Sequence, residues 1–456
     1  MKKALLFIFL LFQIVFVNAQ CWKFAACGHF SSHAIKKDGT LSGWGNNGSG
    51  QLGDGTNIDR NAPIQIGVDT NWESVTSGDS HTHAIKTDGT LWSWGHNIFG
   101  ELGDGTNISK NSPVQIGTDT DWKLVYAGNT STIAIKKNGT LWTWGHNDYG
   151  QLGIGNTIAQ NTPIQVGTDT NWKSATGGAL NTHAIKTDGT LWAWGWNQYG
   201  QLGNNTITDT INPIQIGQDT NWESVSDGTA HVLATKTDGT LWAWGRNFYG
   251  ELGDSTVVDK HLPTQIGIDT NWQSVSAGLA FSNALKKDGS KWAWGWNYTG
   301  QLGDNTNIDK LVPTHITPGS NWLSVSSGGY HTLAIKTDNT LWSVGSNFMD
   351  QIGNGDTTGI DVILPVQAAV CWATSLENYQ NTFWFKLFPN PVVDILKIDL
   401  QGKAEVQKVR IYTMLGTLTK EEKGIAQLDI SSLSKGIYLI EIKTNKGVLH
   451  SRFLKE

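Results

Sequence analysis

Histidines recur at two fixed positions of this chain, and imidazole is a common metal ligand. The two sets are His33, His83 and His183, and His81, His231 and His331. Members of one set are separated by multiples of 50 residues, which places them at equivalent points of different repeat units rather than side by side. We therefore expect structural, hydrogen-bonded histidines and predict no metal site.

Two glutamates raise the question of acid–base catalysis. Glu101 and Glu251 occupy a position at which the other units carry glutamine. A glycosidase pair needs its two carboxylates within about 10 Å of each other, whereas these two residues belong to non-adjacent units. We expect both glutamates to be solvated surface residues.

The segment Asp54–Asp59 has the acidic pattern of a calcium loop. It lacks the closing glutamate of an EF-hand, and Ile154, Asn204 and Asn354 interrupt the acidic position in other units. The sequence also contains no nucleophile elbow, phosphate-binding loop or zinc-protease motif. We predict no catalytic residues and no cofactor, and we leave open an enzymatic site that the sequence does not reveal.

Tryptophan supplies the clearest periodicity in the chain. Eight tryptophans are spaced 50 residues apart without drift: Trp22, Trp72, Trp122, Trp172, Trp222, Trp272, Trp322 and Trp372. A period of this length indicates a repeat architecture, in which each unit buries its apolar face against its neighbours. The 456 residues include 53 glycines and only 16% charged residues, which favours short strands and tight turns over helices.

Each unit contains the pattern of about four short strands, as a propeller blade requires. In the second unit, Ala84–Thr87 and Leu91–Trp94 alternate around Asp88-Gly89, a strong signal for a hairpin with a type I′ turn. The seventh unit has Asp338-Asn339 instead, and asparagine tolerates the left-handed conformation. The sequence therefore predicts an all-β fold, a seven-bladed β-propeller.

The motif after the hairpin carries a family resemblance. Trp44–Gly53 and Trp144–Gly153 both read Trp-Gly-x-Asn-x-x-Gly-Gln-Leu-Gly, and Gly328–Lys336 reads Gly-x-x-His-x-x-Ala-Ile-Lys. These residues resemble the repeat of the RCC1 (regulator of chromosome condensation) family, over residues 22–371. The resemblance implies a seven-bladed propeller of RCC1-like repeats. It implies little about function, because propellers host many functions.

Candidate binding residues follow the Trp-Gly pair, where side chains vary between units while the flanking Gly and Asn stay fixed. Variation on a constant frame is typical of a binding loop, and Trp, Arg and Tyr are enriched at binding hot spots. The candidates are His96, His146, Trp196, Arg246 and Trp296, with Tyr149, Tyr199, Tyr249 and Tyr298 two or three residues further on. We expect the first five to be exposed. For the tyrosines, packing between blades is the alternative to ligand contact.

Two cysteines mark the ends of the repeat region. Cys21 and Cys371 each precede a period-setting tryptophan, seven whole periods apart. If the ring closes after seven units these residues meet, and we hypothesise a disulfide, which secretion permits and which would stabilise the fold by ~4–5 kcal/mol. The alternatives are a Cys21–Cys27 bridge or free thiols. Cys27 is most simply a small buried residue.

The N-terminus has the pattern of a secretory signal peptide. Lys2 and Lys3 precede the apolar run Ala4–Val17, and Val17-Asn18-Ala19 supplies small residues before a cut after Ala19. Gln20 argues against lipid attachment at Cys21, because a small residue is expected there. The mature sequence has no other long apolar stretch, so we predict no transmembrane segment.

The C-terminal residues contain five blocks that closely resemble the type A C-terminal sorting domain of the type IX secretion system. The blocks are Phe388–Val392, Val409–Gly416, Leu428–Leu433, Gly436–Ile442 and Phe453–Glu456. Their alternating apolar residues predict a small β-sandwich. The resemblance implies handling by the type IX machinery, export through the periplasm, and release or surface attachment after cleavage of the tail. An ordinary β-sandwich binding module is the alternative.

These observations give the expected boundaries of the chain. Residues 1–19 form the signal peptide, 20–372 the propeller, 373–385 a linker and 386–456 the sorting domain. The seven expected units are 22–71, 72–121, 122–171, 172–221, 222–271, 272–321 and 322–371.

Charge narrows the class of partner. Residues 20–385 carry 19 Lys and Arg against 31 Asp and Glu, a net charge of −12, whereas residues 386–456 carry +4. An acidic propeller repels phosphate backbones, so we predict no nucleic-acid partner. The sequence favours a secreted or cell-surface, non-enzymatic binding or adhesion module for an unknown glycan or surface protein. The alternatives are an extracellular polysaccharide-acting enzyme, and guanine-nucleotide exchange by family analogy, which secretion and the lack of a long inserted loop argue against.

Overall fold

The computed structural model describes residues 22–368, 385–400, 405–413, 417–445 and 447–456. The predicted signal peptide, the predicted Cys21–Cys371 disulfide and residues 373–384 of the predicted linker lie outside these ranges.

Seven antiparallel sheets of four strands form the propeller, and the strands of each sheet are consecutive in the chain. Blade 1 comprises β1 (Trp22–Cys27), β2 (Ser31–Lys36), β3 (Leu41–Gly45) and β4 (Arg60–Gln65). Blade 2 comprises β5 (Trp72–Ser77), β6 (His81–Lys86), β7 (Leu91–Gly95) and β8 (Lys110–Gln115). Blade 3 comprises β9 (Trp122–Ala127), β10 (Ser131–Lys136), β11 (Leu141–Gly145) and β12 (Gln160–Gln165). Blade 4 comprises β13 (Trp172–Gly177), β14 (Asn181–Lys186), β15 (Leu191–Gly195) and β16 (Thr210–Gln215).

The remaining three blades repeat this order. Blade 5 comprises β17 (Trp222–Asp227), β18 (His231–Lys236), β19 (Leu241–Gly245) and β20 (Lys260–Gln265). Blade 6 comprises β21 (Trp272–Ala277), β22 (Phe281–Lys286), β23 (Lys291–Gly295) and β24 (Lys310–Ile316). Blade 7 comprises β25 (Trp322–Ser327), β26 (His331–Lys336), β27 (Leu341–Gly345) and β28 (Val362–Gln367). The predicted seven-bladed propeller is confirmed.

The hairpin turns differ from the predicted type. In blade 2, the Gly89 amide donates to the Lys86 carbonyl (2.8 Å) and the Lys86 amide donates to the Thr90 carbonyl (3.0 Å). Only Gly89 has a positive φ, 82°. This is a three-residue loop, a type I turn followed by a left-handed residue, so the type I′ prediction is wrong. In blade 7, Asn339 takes the left-handed position with φ 63°, as its tolerance of that conformation predicts.

The period-setting tryptophans are buried and hold a lysine. In blade 4, the Lys186 amine lies 4.7 Å from the ring centroid of Trp172 and 3.8 Å from that of Trp192, and it donates to Asp169 at 2.7 Å. Two tryptophan faces and one carboxylate thus satisfy a mostly buried ammonium group. Equivalent lysine–tryptophan contacts recur at Lys86, Lys136, Lys236, Lys286 and Lys336.

A second tryptophan joins six of the seven blades to the blade before; blade 7 has Val344 at this position. The Trp194 indole donates to the Gln151 carbonyl at 2.9 Å, and the Thr182 hydroxyl donates to the same oxygen at 2.9 Å. Burying an indole without a partner would cost free energy, so this bond fixes one blade against the next. The same indole-to-carbonyl bond is made by Trp44, Trp94, Trp144, Trp244 and Trp294.

The ring closes through these same contacts. The Trp44 indole of blade 1 donates to the Gln351 carbonyl of blade 7 at 3.0 Å, and Ser32 donates to it at 2.9 Å. The Trp22 amide also donates to the Asn339 carbonyl at 3.2 Å. Cys27 is a free, buried thiol, and burial raises its pKa to about 12. It is therefore the small buried residue that the sequence predicts, whereas the alternative Cys21–Cys27 bridge involves Cys21, which lies outside the described ranges.

Seven glycines surround the central axis at one end of the propeller. They are Gly28, Gly78, Gly128, Gly178, Gly228, Gly278 and Gly328, and a Cβ added to any of them would lie within 3.2 Å of the carbonyl oxygen of the next, with Gly328 meeting Gly28. Five of them, Gly28, Gly78, Gly228, Gly278 and Gly328, line a cavity of about 70 Å³. These glycines allow the innermost strands to approach as closely as seven blades require.

We expect Gly228→Ala to destabilise the propeller by ~3 kcal/mol, because the new methyl group would overlap the backbone carbonyl of Gly278. Gly267→Ala is the matched control. Its Cβ would meet nothing within 4 Å, and only its left-handed φ of 66° would cost ~1 kcal/mol. Urea unfolding measures both losses. Equal losses of stability in the two variants would show that the seven glycines around the axis are not under steric constraint.

The strand directions define two faces of the propeller. The loops between the first and second strands and between the third and fourth strands lie on one face, which we call the loop face. The hairpin turns and the connections to the next blade lie on the other, the turn face. The described propeller begins at Trp22 and ends at Ala368, and both residues are on the turn face.

The C-terminal residues form two further antiparallel sheets. Their strands are β29 (Phe385–Phe388), β30 (Ile395–Leu400), β31 (Val406–Thr413), β32 (Leu418–Lys423), β33 (Gln427–Asp429), β34 (Gly436–Thr444) and β35 (Gly447–Lys455). The sheet orders are β29-β30-β33 and β32-β31-β34-β35. Leu396, Ile411, Ile440 and Phe453 belong to one buried core, so the predicted small β domain is confirmed.

Candidate functional site

The longest loops of the loop face are organised around a buried asparagine. In blade 4, Asn197 donates to Asn204 Oδ1 and to the carbonyls of Thr206 and Thr208, each at 3.1 Å, and its Oδ1 accepts from the Leu202 amide at 2.9 Å. The structure shows an anchor that holds the whole loop between the third and fourth strands.

The acidic loop segments are paired with cationic side chains. In blade 5, Asp254 accepts from Asn247 at 3.0 Å and from the Thr256 hydroxyl at 2.7 Å, and it forms an ion pair with Lys260 at 3.2 Å. Burial alone would raise the pKa of Asp254, but these bonds lower it below the usual value. Asp54 makes the same contacts with Asn47, Thr56 and Arg60. Its carboxylate therefore holds an arginine side chain in this loop.

The first five binding candidates lie on this face but are half-buried. His96, His146, Trp196, Arg246 and Trp296 all have intermediate exposure, so the expectation that they are exposed is wrong. His146, Trp196 and Trp296 are each covered by an aromatic side chain from the loop of the preceding blade. Phe99 contacts His146, Tyr149 contacts Trp196, and Tyr249 contacts Trp296, with ring centroids 4.5, 6.3 and 5.7 Å apart.

The tyrosine and phenylalanine candidates divide by position. Side chains two residues after the variable position project into solvent, with Phe248 70%, Tyr298 73% and Phe348 74% exposed. Side chains three residues after it, such as Tyr199 and Tyr249, are half-buried at the blade seams. Packing between blades and exposure therefore both occur, one at each position.

Six rings form a continuous series across the loop face, which we call the aromatic chain. It runs from Phe248 through Tyr249, Trp296, Tyr330 and Phe30 to His29, with successive centroids 4.9, 5.7, 5.4, 5.1 and 4.5 Å apart. It spans blades 5, 6, 7 and 1 and crosses the closure of the ring.

Half of the aromatic chain was missed by sequence reasoning. His29, Phe30 and Tyr330 come from the short loops between the first and second strands. A signal exists in the sequence, because the residue two positions after the glycine at the central axis varies between units, from Phe30 to Ser80, Ala230 and Tyr330.

The two glutamates are buried rather than solvated, which corrects the expectation from the sequence. Glu101 and Glu251 are both 0% exposed. Glu101 accepts from His96 Nδ1 at 2.7 Å, and Glu251 accepts from Arg246 Nε at 2.9 Å. Burial raises the pKa of Glu251 despite its arginine partner. Each carboxylate therefore holds in place the basic side chain of its own loop, His96 or Arg246.

The glutamines at the same position show the complementary pattern. Gln151 contacts His146 through its amide nitrogen at 3.1 Å, and Gln51 donates to Asn46. Beneath Trp196 and Trp296, the Nε2 atoms of Gln201 and Gln301 are buried and have no hydrogen-bond partner among the described residues. The buried residue is therefore Glu beneath His96 and Arg246, and Gln beneath the other variable residues, His146 among them.

The histidines of the repeat are buried in strands. His183 Nδ1 lies 2.7 Å from Asp227 Oδ1, with both side chains 0% exposed, and His33 lies 2.9 Å from the Ser77 hydroxyl. Burial lowers the pKa of His81 to about 4 and that of His231 to about 3. Within the described ranges, no group of three or more His, Cys, Asp and Glu residues is placed to hold a metal ion.

One further buried residue breaks the repeat. Lys291 is 1% exposed and stands where the other units have leucine: Leu41, Leu91, Leu141, Leu191, Leu241 and Leu341. Its amine donates to the Leu302 carbonyl at 3.1 Å, and burial lowers its pKa to about 7. Comparison of the units would have revealed it.

Sequence comparison identifies the repeat region. A profile of the RCC1-like domain matches residues 119–381, more than half of the chain. The chain belongs to the RCC1-like domain family. Profiles of the RCC1 repeat also match residues 38–85, 88–135 and 72–101. The secretion system C-terminal sorting domain matches residues 386–456 of this RCC1-like protein, which indicates export to the cell surface or the medium. No curated protein sequence matches.

Solved structures place the RCC1-like propeller among known relatives of the fold. Human WBSCR16 is 22% identical with a TM-score of 0.62, over 69% of this chain and 87% of that one. Yeast RCC1 (Prp20), solved bound to Kap60, is 19% identical with a TM-score of 0.66, over 84% and 90%. Prp20p from Saccharomyces cerevisiae is 20% identical with a TM-score of 0.67, over 82% and 93%. At these identities the likeness shows the fold alone.

The RCC1-like propeller thus presents one face of rigidly held aromatic and basic side chains. The buried asparagines, glutamines and glutamates hold the loop backbones, so the variable side chains are positioned before any ligand arrives. In the part of the chain that the structure describes, no helix is long and apolar enough to span a membrane.

Proposed function

We propose that this protein is an exported binding module that recognises an extracellular ligand through the loop face of its propeller. The observation that carries the proposal is the aromatic chain, in which Tyr249 and Trp296 pack at a blade seam while Phe248 projects into solvent. Aromatic and arginine side chains on a rigid frame supply large contact area at low entropic cost. The sorting domain supports a location outside the cell, at the surface or in the medium.

The structure favours binding over hydrolysis for the two glutamates. Glu101 and Glu251 belong to blades 2 and 5, and each is committed to a basic partner and a backbone amide of its own loop. A glycosidase needs two carboxylates that flank the same bond. We therefore propose a non-enzymatic role, in which these glutamates position side chains rather than react.

The proposal is tested with the secreted protein on arrays of glycans and of cell-surface proteins. We expect Trp196→Ala with Trp296→Ala to weaken binding to any ligand found by about tenfold or more, because hot-spot aromatics contribute at least that much. The control is Val68→Ala with Ile268→Ala, whose side chains are 86% and 91% exposed on the turn face. Binding that persists in the tryptophan variant, or that only the control abolishes, would place the site elsewhere.

A further inference from the structure

We propose that the aromatic chain binds a neutral, extended glycan, an inference that rests on the proposed binding function of the loop face. Sugar rings present apolar C–H faces edged by hydroxyl groups. A matching surface needs aromatic rings with polar groups beside them, the combination that ligand sites generally use. The aromatic chain and its borders have this composition.

The shape of the aromatic chain favours a linear ligand. Its six rings follow one another in single file across four blades rather than forming a broad apolar patch. Broad patches mark protein–protein contacts, whereas a single file of rings offers successive stacking positions to a chain-like molecule. Phe248, 70% exposed, and the half-buried Trp296 provide the accessible rings at one end.

Charge favours a neutral glycan over an acidic one. At one end of the aromatic chain His29 is paired with Asp79 at 2.9 Å, and at the other Arg246 is paired with Glu251 at 2.9 Å. The two basic groups, His29 in the aromatic chain and Arg246 beside Tyr249, therefore already have carboxylate partners. The propeller as a whole is acidic, with a net charge of −12 over residues 20–385. An acidic polysaccharide would meet repulsion without a free basic residue to offset it.

Polar groups suited to hydroxyls border the rings. The Asn307 amide donates to the Tyr298 carbonyl at 2.8 Å and remains on the exposed loop surface. The Nε2 atoms of Gln301 and Gln351 are buried in the loops of blades 6 and 7 without a hydrogen-bond partner among the described residues. Both glutamines are 0% exposed, so a ligand hydroxyl meets surface amides such as Asn307 and not these buried donors.

Affinity electrophoresis of the secreted full-length protein tests this inference. The gels contain mannan, xylan or a soluble β-1,3-glucan as neutral probes, and alginate as the acidic probe. We expect retardation by at least one neutral probe, with an affinity about tenfold weaker in Phe248→Ala and in Trp296→Ala. The matched control is Phe348→Ala, which removes an aromatic side chain that is 74% exposed on the same face but outside the aromatic chain. Thermal unfolding of each variant checks that it is folded.

Each outcome bears on the inference. Retardation by alginate alone, by no neutral probe, or equally in Phe248→Ala and wild type overturns it. A second outcome separates the two proposals. Surface proteins on the array bind, Trp196→Ala with Trp296→Ala abolishes that binding, and no neutral probe retards the protein. In that case the glycan assignment fails and the proposed function stands. If neither arrays nor gels give binding that depends on the loop face, both fail.

Discussion

Arg246→Trp is expected to destabilise the propeller by ~3 kcal/mol, and Glu251→Gln in the same chain is expected to restore most of the loss. The single change leaves Glu251, which is 0% exposed, as a buried carboxylate without its cationic partner. The double change recreates the Trp–Gln combination that the chain itself uses at Trp196 with Gln201. The wild-type protein thus already contains a compatible Trp–Gln pair in blade 4, with which the double variant can be compared.

Urea unfolding at pH 5 and pH 8 measures this effect. Burial raises the pKa of Glu251, and removal of Arg246 raises it further. In Arg246→Trp, the Glu251 carboxyl then releases its proton at a lower pH in the unfolded chain than in the folded chain. The loss of stability in this variant therefore grows as the pH rises from 5 to 8. A single variant as stable as the double variant at pH 8 would show that the pair is energetically unimportant. Because the arginine is coupled to stability, binding tests rest on the tryptophans instead.

Lys291→Leu is expected to stabilise the propeller by ~4 kcal/mol at pH 6. The pKa of the buried ammonium falls from 10.5 to about 7, and each pKa unit corresponds to ~1.4 kcal/mol of differential stability. Leucine is the residue of the other six units at this position and is 0% exposed in each of them, so the substitution fits the packing of the blade.

The pH dependence separates this effect from a simple gain in apolar burial. Between pH 7 and pH 10.5 the unfolded lysine binds a proton that the folded one lacks, so the wild type gains stability as the pH rises. The advantage of Lys291→Leu should therefore be full below pH 7 and shrink towards pH 10. Lys287→Leu, at an exposed neighbouring position, is the control. A gain from Lys291→Leu that is equal at pH 6 and pH 9.5 would contradict the stated cause.

The fold was predictable because the tryptophan spacing and the hairpin signals repeat seven times. The turn type was not, since Asp88-Gly89 suits both a two-residue and a three-residue loop. The three-residue loop includes hydrogen bonds from Thr90 to Asp88, at 3.0 and 2.7 Å, and Thr90 lies outside the pair that carries the signal.

The sequence predicts where the candidate site lies, but not how deeply its side chains are buried. Variation after Trp-Gly locates the loop face, yet the burial of Glu101 and Glu251 depends on contacts within each folded loop and on the backbone of the next blade. The series from Trp296 to Tyr330 and Phe30 depends on ring closure, which brings together residues from opposite ends of the repeat region. Spacing within one unit carries no information about such contacts.

The turn face has a consequence for how the protein is displayed. The described propeller begins at Trp22 and ends at Ala368 on that side. A tether that acts through Ala368 therefore pulls on the face opposite the aromatic chain. Under the proposed function, the face that meets the ligand and the end from which the chain leads to the sorting domain lie on opposite sides of the ring.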